Sequence, residues 1–162
     1  MPTPTYDLLA STTLATATSS VTFSSIDQSY GDLILVINFT AGSGSLFASV
    51  EVNSDTGTNY PFVKMVGNGS SATSVASMTE YFSMTPGVSA FEQSFLGILQ
   101  IMDYSATDKH KSGLIRTALS GEATIAVAQR WANTNAINQL RVFTFSGPYP
   151  VGSTFNLYGV AK

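Results

Sequence analysis

Not one lysine or arginine precedes Lys64 in this 162-residue chain, and only 10% of its residues are charged, against roughly 25% in an ordinary soluble domain. A surface with so little charge is poorly defended against association, so the composition points to a body that works by contact. Cysteine is absent, which excludes a disulfide framework, thiolate-bound zinc and a thiol nucleophile together and leaves packing to stabilise the fold. Histidine occurs once, as His110 within Asp108-Lys109-His110-Lys111. A lone imidazole lacks the partners of a zinc site or a hydrolytic triad, and that charged run reads as a solvated turn. Long apolar runs are missing too: stretches such as Leu33 to Ile37 fall far short of the about 20 residues that span a bilayer. Met1-Pro2-Thr3-Pro4 lacks the basic and then apolar order of a secretory signal, so the chain is expected to be neither exported by a signal of its own nor embedded in a membrane.

Ten acids against seven bases give a net charge of −3 and a pI near 4.8. That is too little positive field to hold a phosphate backbone, and nucleic acid is not an expected partner. No serine sits in Gly-x-Ser-x-Gly between a strand and a helix, the strained turn that exposes a nucleophile. Glycoside cleavage needs two acids about 5 to 10 Å apart, but Asp27, Asp32 and Asp55 fall at strand ends and turns, where backbone hydrogen bonding explains them. Asn53-x-Asp55-x-Gly57-x-Asn59 alternates oxygen ligands like a calcium loop, lacks the later bidentate acid, and reads as a turn. Gly67-x-Gly69 lacks the third glycine of a dinucleotide loop. The expectation is a chain that is not an enzyme, with no catalytic residues, metal or cofactor. Its sparse charge is uneven: five acids and no base precede Lys64, and five acids and seven bases follow from there. Oppositely charged regions set register between neighbouring copies, unless the topology intermixes them.

What is abundant is alternation. Ser20-Val21-Thr22-Phe23-Ser24 alternates cleanly, and Asp32 to Phe39 is a longer run with β-branched residues inside it, as for a central strand. Further strands are expected at Tyr6–Thr12, Leu46–Val52, Phe62–Val66, Val75–Phe82, Phe95–Asp103, Lys111–Thr117, Thr124–Arg130, Gln139–Phe145 and Thr154–Val160. Turn signals such as Asp55-Thr56-Gly57 and Pro86-Gly87 separate them, and Ser, Thr and Gly dilute every helical stripe. The expected fold is all-β: an antiparallel β-sandwich, jelly-roll-like, of about ten short strands. One domain spans 6–162 behind an extended arm, 1–5. Strand order stays open, because periodicity does not encode pairing.

The order of certain segments is familiar. Ser25-Ile26-Asp27-Gln28-Ser29-Tyr30-Gly31-Asp32-Leu33 opens a strand, followed by Val52-Asn53-Ser54-Asp55-Thr56-Gly57-Thr58-Asn59-Tyr60 and Gly67-Asn68-Gly69-Ser70. Ile101-Met102-Asp103-Tyr104-Ser105 comes next, then Trp131-Ala132-Asn133-Thr134-Asn135-Ala136-Ile137-Asn138-Gln139-Leu140 and a closing Leu157-Tyr158-Gly159-Val160. This ordered set resembles a group of small β-sandwich structural proteins of tailed-bacteriophage virions, over nearly the whole chain. The departure is at Ala41 to Ser45, where Gly42-Ser43-Gly44 stands and members of the group are richer in Arg and Asn.

The resemblance implies a structural protein on the exterior of the virion head, a decoration or cement subunit. Its implied partners are the major capsid protein or another virion component and further copies of itself, with a trimer suiting three-fold positions. Met1, Pro2, Thr3, Pro4, Thr5 and Tyr6 are the expected partner contacts, as an arm that becomes ordered on a neighbour. The alternative is a fibre tip or carbohydrate-binding module, in which Tyr104 and Trp131 stack on sugar rings. Where those two aromatics lie separates the readings: buried residues favour docking, a shared exposed groove favours sugar.

Overall fold

The computed structural model describes residues 5–39, 46–67, 69–84, 94–119 and 124–162. Among them are twelve strands and no helix: β1 (Tyr6–Thr13), β2 (Ser20–Phe23), β3 (Asp32–Phe39), β4 (Ser49–Val52), β5 (Tyr60–Gly67), β6 (Ala72–Thr79), β7 (Phe82–Ser83), β8 (Phe95–Met102), β9 (Lys111–Leu119), β10 (Thr124–Trp131), β11 (Leu140–Phe143) and β12 (Thr154–Val160). They form two antiparallel sheets. The large one has the order β1-β12-β3-β8-β9-β10-β5-β6, and the small one β2-β11-β4-β7.

The chain passes from sheet to sheet through β1, β2, β3 and β4, and again through β7, β8, β11 and β12. This gives β1-β12-β3-β8 facing β2-β11-β4-β7, the interleaving of a jelly roll. Two hairpins, β5-β6 and β9-β10, are inserted into that plan and widen the large sheet to twice the small one. The expected segment Val75–Phe82 is divided in two, because Glu80 and Tyr81 carry the chain from the large sheet (β6) to the small one (β7).

Alternation places one residue in two between the sheets. Leu33, Leu35, Ile37, Leu99, Ile101, Ile115 and Val127 of the large sheet join Val21, Phe23, Val50, Val52, Leu140 and Val142 of the small one in a single buried cluster. Phe82 crosses toward β9 where a glycine makes room: a Cβ on Gly113 would lie 2.7 Å from its ring. Phe39 and Phe95 stack at 4.7 Å, with Tyr149 and Phe155 completing the aromatic group. Tyr158 points outward, since it lies three positions from Phe155 and so on the opposite face. The β5-β6 hairpin runs beyond the cover of the small sheet. Tyr60 and Phe62 are buried at its root, and most of β6 is exposed.

Candidate functional site

Four of the segments that carry the resemblance, those around residues 26–28, 53–59, 104 and 131–139, meet at one end of the sandwich. Asn53 holds a left-handed backbone (φ 50); its side-chain oxygen accepts the N–H groups of Asn138 and Gln139, and its amide donates to Ala136 O. Asp55 accepts Gly57 N–H at 2.9 Å, the Asn59 amide at 3.1 Å and the Trp131 indole N–H at 2.7 Å. Burial pushes its carboxyl upward, but bonds from Trp131, Gly57, Asn59 and Asn133 outweigh that and hold it below the usual carboxylate range. The motif resembling a calcium loop is thus a turn whose acid is occupied by donors. Tyr104 donates to Asp27 O, and its own carbonyl accepts Ile137 N–H. Gln28 donates to the carbonyls of Ile26 and Ile137.

Trp131 and Tyr104 are 1% and 0% exposed. Neither lines an exposed groove, which corrects their expected role as sugar-stacking contacts: the indole caps the core and its one polar atom is committed to Asp55. Lys111 is buried beside them, donating to the carbonyls of Lys109 and Thr134, with Nζ 5.9 Å from the Trp131 ring centroid. Desolvation lowers its pKa, although Asp108 opposes the shift. His110 is exposed. Of the expected arm, Met1, Pro2, Thr3 and Pro4 lie outside the described residues. Thr5 accepts Ala161 N–H through its carbonyl, and Tyr6 opens β1 opposite Val160, so these two belong to the sheet rather than to a free arm. The Ala41–Ser45 departure also lies outside the described residues.

The surface that sequence reading missed is the outer face of the large sheet. One cross-strand row runs Leu8, Tyr158, Ile34, Gln100, Leu114, Ala128, Val63 and Ala76 from edge to edge. The next runs Ser11, Asn156, Val36, Ile98, Arg116, Ala126, Met65 and Ser74. Leu8, Val63, Met65, Leu96 and Leu114 are each between 43% and 60% exposed. Where small residues stand, the face dips: one shallow depression of about 400 Å³ lies by Ala128 and Ala76, and another of about 220 Å³ by Ala118. The signal for this face was present in β3, where Ile34 and Val36 interrupt the polar half of the alternation.

Among the described residues, charge on that face is confined to Asp32 on β3, Arg116 on β9 and Arg130 on β10. The unevenness along the chain therefore survives folding here, with the acid on one half of the sheet and the bases on the other. In the small sheet it does not, since Glu51 and Arg141 pair at 3.4 Å. Beside that pair, Tyr81, Phe143 and Phe145 form an aromatic cluster with centroids 4.9 to 5.6 Å apart. With Glu51, Glu80 and Arg141 they line a notch of about 170 Å³. Among the described residues no group of three His, Cys, Asp or Glu is placed to hold a metal ion, and no helix is long and apolar enough to cross a membrane.

No family model and no curated protein matches the chain. Among solved structures it is similar to the alginate lyase Aly36B at 14% identity and a TM-score of 0.35, over 82% of this chain and 70% of that one. It is also similar to a mutant of that lyase in complex with alginate tetrasaccharide, at 13% identity and a TM-score of 0.34, over 88% and 80%. Both are structures of an enzyme, and this is the finding that stands against the expectation that the chain is not one. A likeness of this depth assigns neither a lyase reaction nor a substrate here.

Proposed function

We propose that the chain is a bacteriophage virion structural protein, a decoration or cement subunit that docks on the exterior of the head against the major capsid protein or another virion component. One observation supports this reading beyond the resemblance: among the described residues, the outer face of the large sheet carries the exposed apolar side chains Leu8, Val63, Met65, Leu96 and Leu114. Monomeric proteins rarely expose contiguous apolar patches of more than a few hundred Å². Scarce charge lowers the desolvation cost of covering such a face, and repetition over a particle multiplies a modest affinity at each site. The burial of Trp131 and Tyr104 supports docking over the sugar-binding alternative.

The test is to strip purified particles with salt, chelator or mild heat and follow this polypeptide by mass spectrometry. Release with genome-filled heads left intact is the expected result, and absence from untreated particles would remove the reading. A second reading, a fibre tip or carbohydrate-binding module, keeps one observation in its favour. The notch of Tyr81, Phe143 and Phe145 with Arg141 and two glutamates combines aromatic and polar groups as sugar sites do. Glycan-array binding that disappears in Phe145→Ala would move the assignment there.

A further inference from the structure

We infer that the uncovered face of the large sheet pairs with the same face of a second copy, about a two-fold axis that runs along the strands between β8 and β9. The inference uses the same apolar face as the proposed function and does not depend on a virion; the two contacts exclude each other, so a dimer would have to open before that face docked on a head.

Size is the first argument. Eight strands at a spacing of about 4.8 Å, seven or eight residues deep, make a face of roughly 900 Å². A stable interface needs about 800 Å² from each partner, so one copy of the face is sufficient for another.

Self-complementarity is the second. Rotation about that axis sets β8 on β9 of the second copy and β3 on its β10, with each cross-strand row meeting itself in reverse. At several positions a larger residue of the β1-β12-β3-β8 half meets a small one of the other half, while Tyr158 meets Val63, Gln100 meets Leu114 and Asn156 meets Met65. Ile34 then faces Ala128 of the second copy, Val36 faces its Ala126, and Leu96 faces its Ala118. The depressions beside Ala128 and Ala118 become sockets for Ile34 and Leu96. Two twisted sheets stacked face to face with their strands nearly aligned interdigitate in this manner.

Charge is the third, through one pair, Asp32 with Arg130, while Arg116 meets Ile98 of the second copy without a counter-charge. Val160, Asp32, Met102, Ser112 and Arg130 occupy one row. Asp32 is third from one edge of the sheet and Arg130 third from the other. The rotation therefore brings Asp32 onto Arg130 of the second copy, twice, by symmetry. Within its own chain the Arg130 guanidinium has no hydrogen-bond or ion-pair partner among the described residues. Asp32 is already oriented, accepting from the Gln100 amide and Asp103 N–H. A dimer of this kind replaces the trimer that analogy suggested.

Sedimentation velocity on the purified chain across a concentration series tests the pairing. The expected result is a monomer–dimer equilibrium that weakens with added salt. Arg130→Asp should raise the dissociation constant at least tenfold, and combining it with Asp32→Arg should recover most of the loss, because the pair is restored with its sign reversed. Ala128→Arg, which fills a socket at an exposed position, should abolish the dimer with an unchanged circular dichroism spectrum. A chain that stays monomeric, a trimer, or a dimer indifferent to Arg130→Asp and Ala128→Arg would overturn the pairing. A monomer recovered from stripped particles would refute the pairing and leave the virion reading standing; a dimer absent from particles would do the reverse.

Discussion

The two outer faces of this jelly roll are built on the same alternation and end in opposite surfaces. On the small sheet the outward row Thr22, Arg141 and Glu51 is polar and internally paired, and the apolar side chains on that side are gathered in the one cluster of Tyr81, Phe143 and Phe145. On the large sheet the outward row Leu8, Tyr158, Ile34, Gln100, Leu114, Ala128, Val63 and Ala76 is mostly apolar, with Gln100 and the Tyr158 hydroxyl as its polar groups. Both sheets bury their inner faces against each other, so the core does not account for the difference. What differs is whether a strand's second set of residues was chosen for water. In β11, Arg141 follows Leu140; in β3, Ile34 follows Leu33 and Val36 follows Leu35. A strand apolar on both faces at the surface of a fold is the feature that the proposed contact explains.

The contrast is broken or sharpened most strongly by placing a charge on each face in turn. Leu114→Lys, at a 43% exposed position in the middle of the large sheet, should abolish self-association while leaving the melting temperature within a few degrees. Thr22→Lys on the small sheet should change neither quantity. Equal effects from the two variants, read by sedimentation and thermal melting, would erase the distinction between the faces.

A smaller effect separates the contact face from the loop end that stabilises the body. The Asp55 carboxyl is held below its ordinary value of 3.8 by the donors around it. Its stabilisation is therefore present above that value and is lost as pH falls through the lower folded pKa. Melting temperature measured from pH 6 to pH 2 should fall more steeply for the parent than for Asp55→Asn, with the dimer constant at pH 6 the same in both. Parallel curves would remove the carboxylate from the account of stability.

Much of the fold was legible because period two survives in nearly every strand. Asp32–Phe39 and Thr154–Val160 have the bounds that alternation gave them, and other strands differ by a residue or a few at an end. The crossing at Glu80-Tyr81 was not legible, since a chain that changes sheets can keep its apolar spacing. Strand order was hidden for a related reason: alternation reports a face and never a neighbour. The candidate site was read from the wrong features. Trp131 and Tyr104 stand out in the sequence because aromatic rings beside polar loops suit a ligand, yet their polar atoms are used by Asp55 and Asp27 inside the fold. The docking face was overlooked because its residues are ordinary leucines, alanines and valines. They become a surface only when eight strands are laid side by side, and half of those strands come from the sheet-widening hairpins.

Three of the five methionines, Met65, Met78 and Met102, lie on the uncovered face at 60%, 58% and 43% exposure, while Met84 is buried. Oxidative footprinting of these side chains, in dilute and in concentrated protein, measures directly whether that face is covered. The account predicts rapid oxidation of all three in the dilute chain and strong protection when concentration rises. Equal rates at every concentration would contradict it and leave the large sheet a face that meets only water.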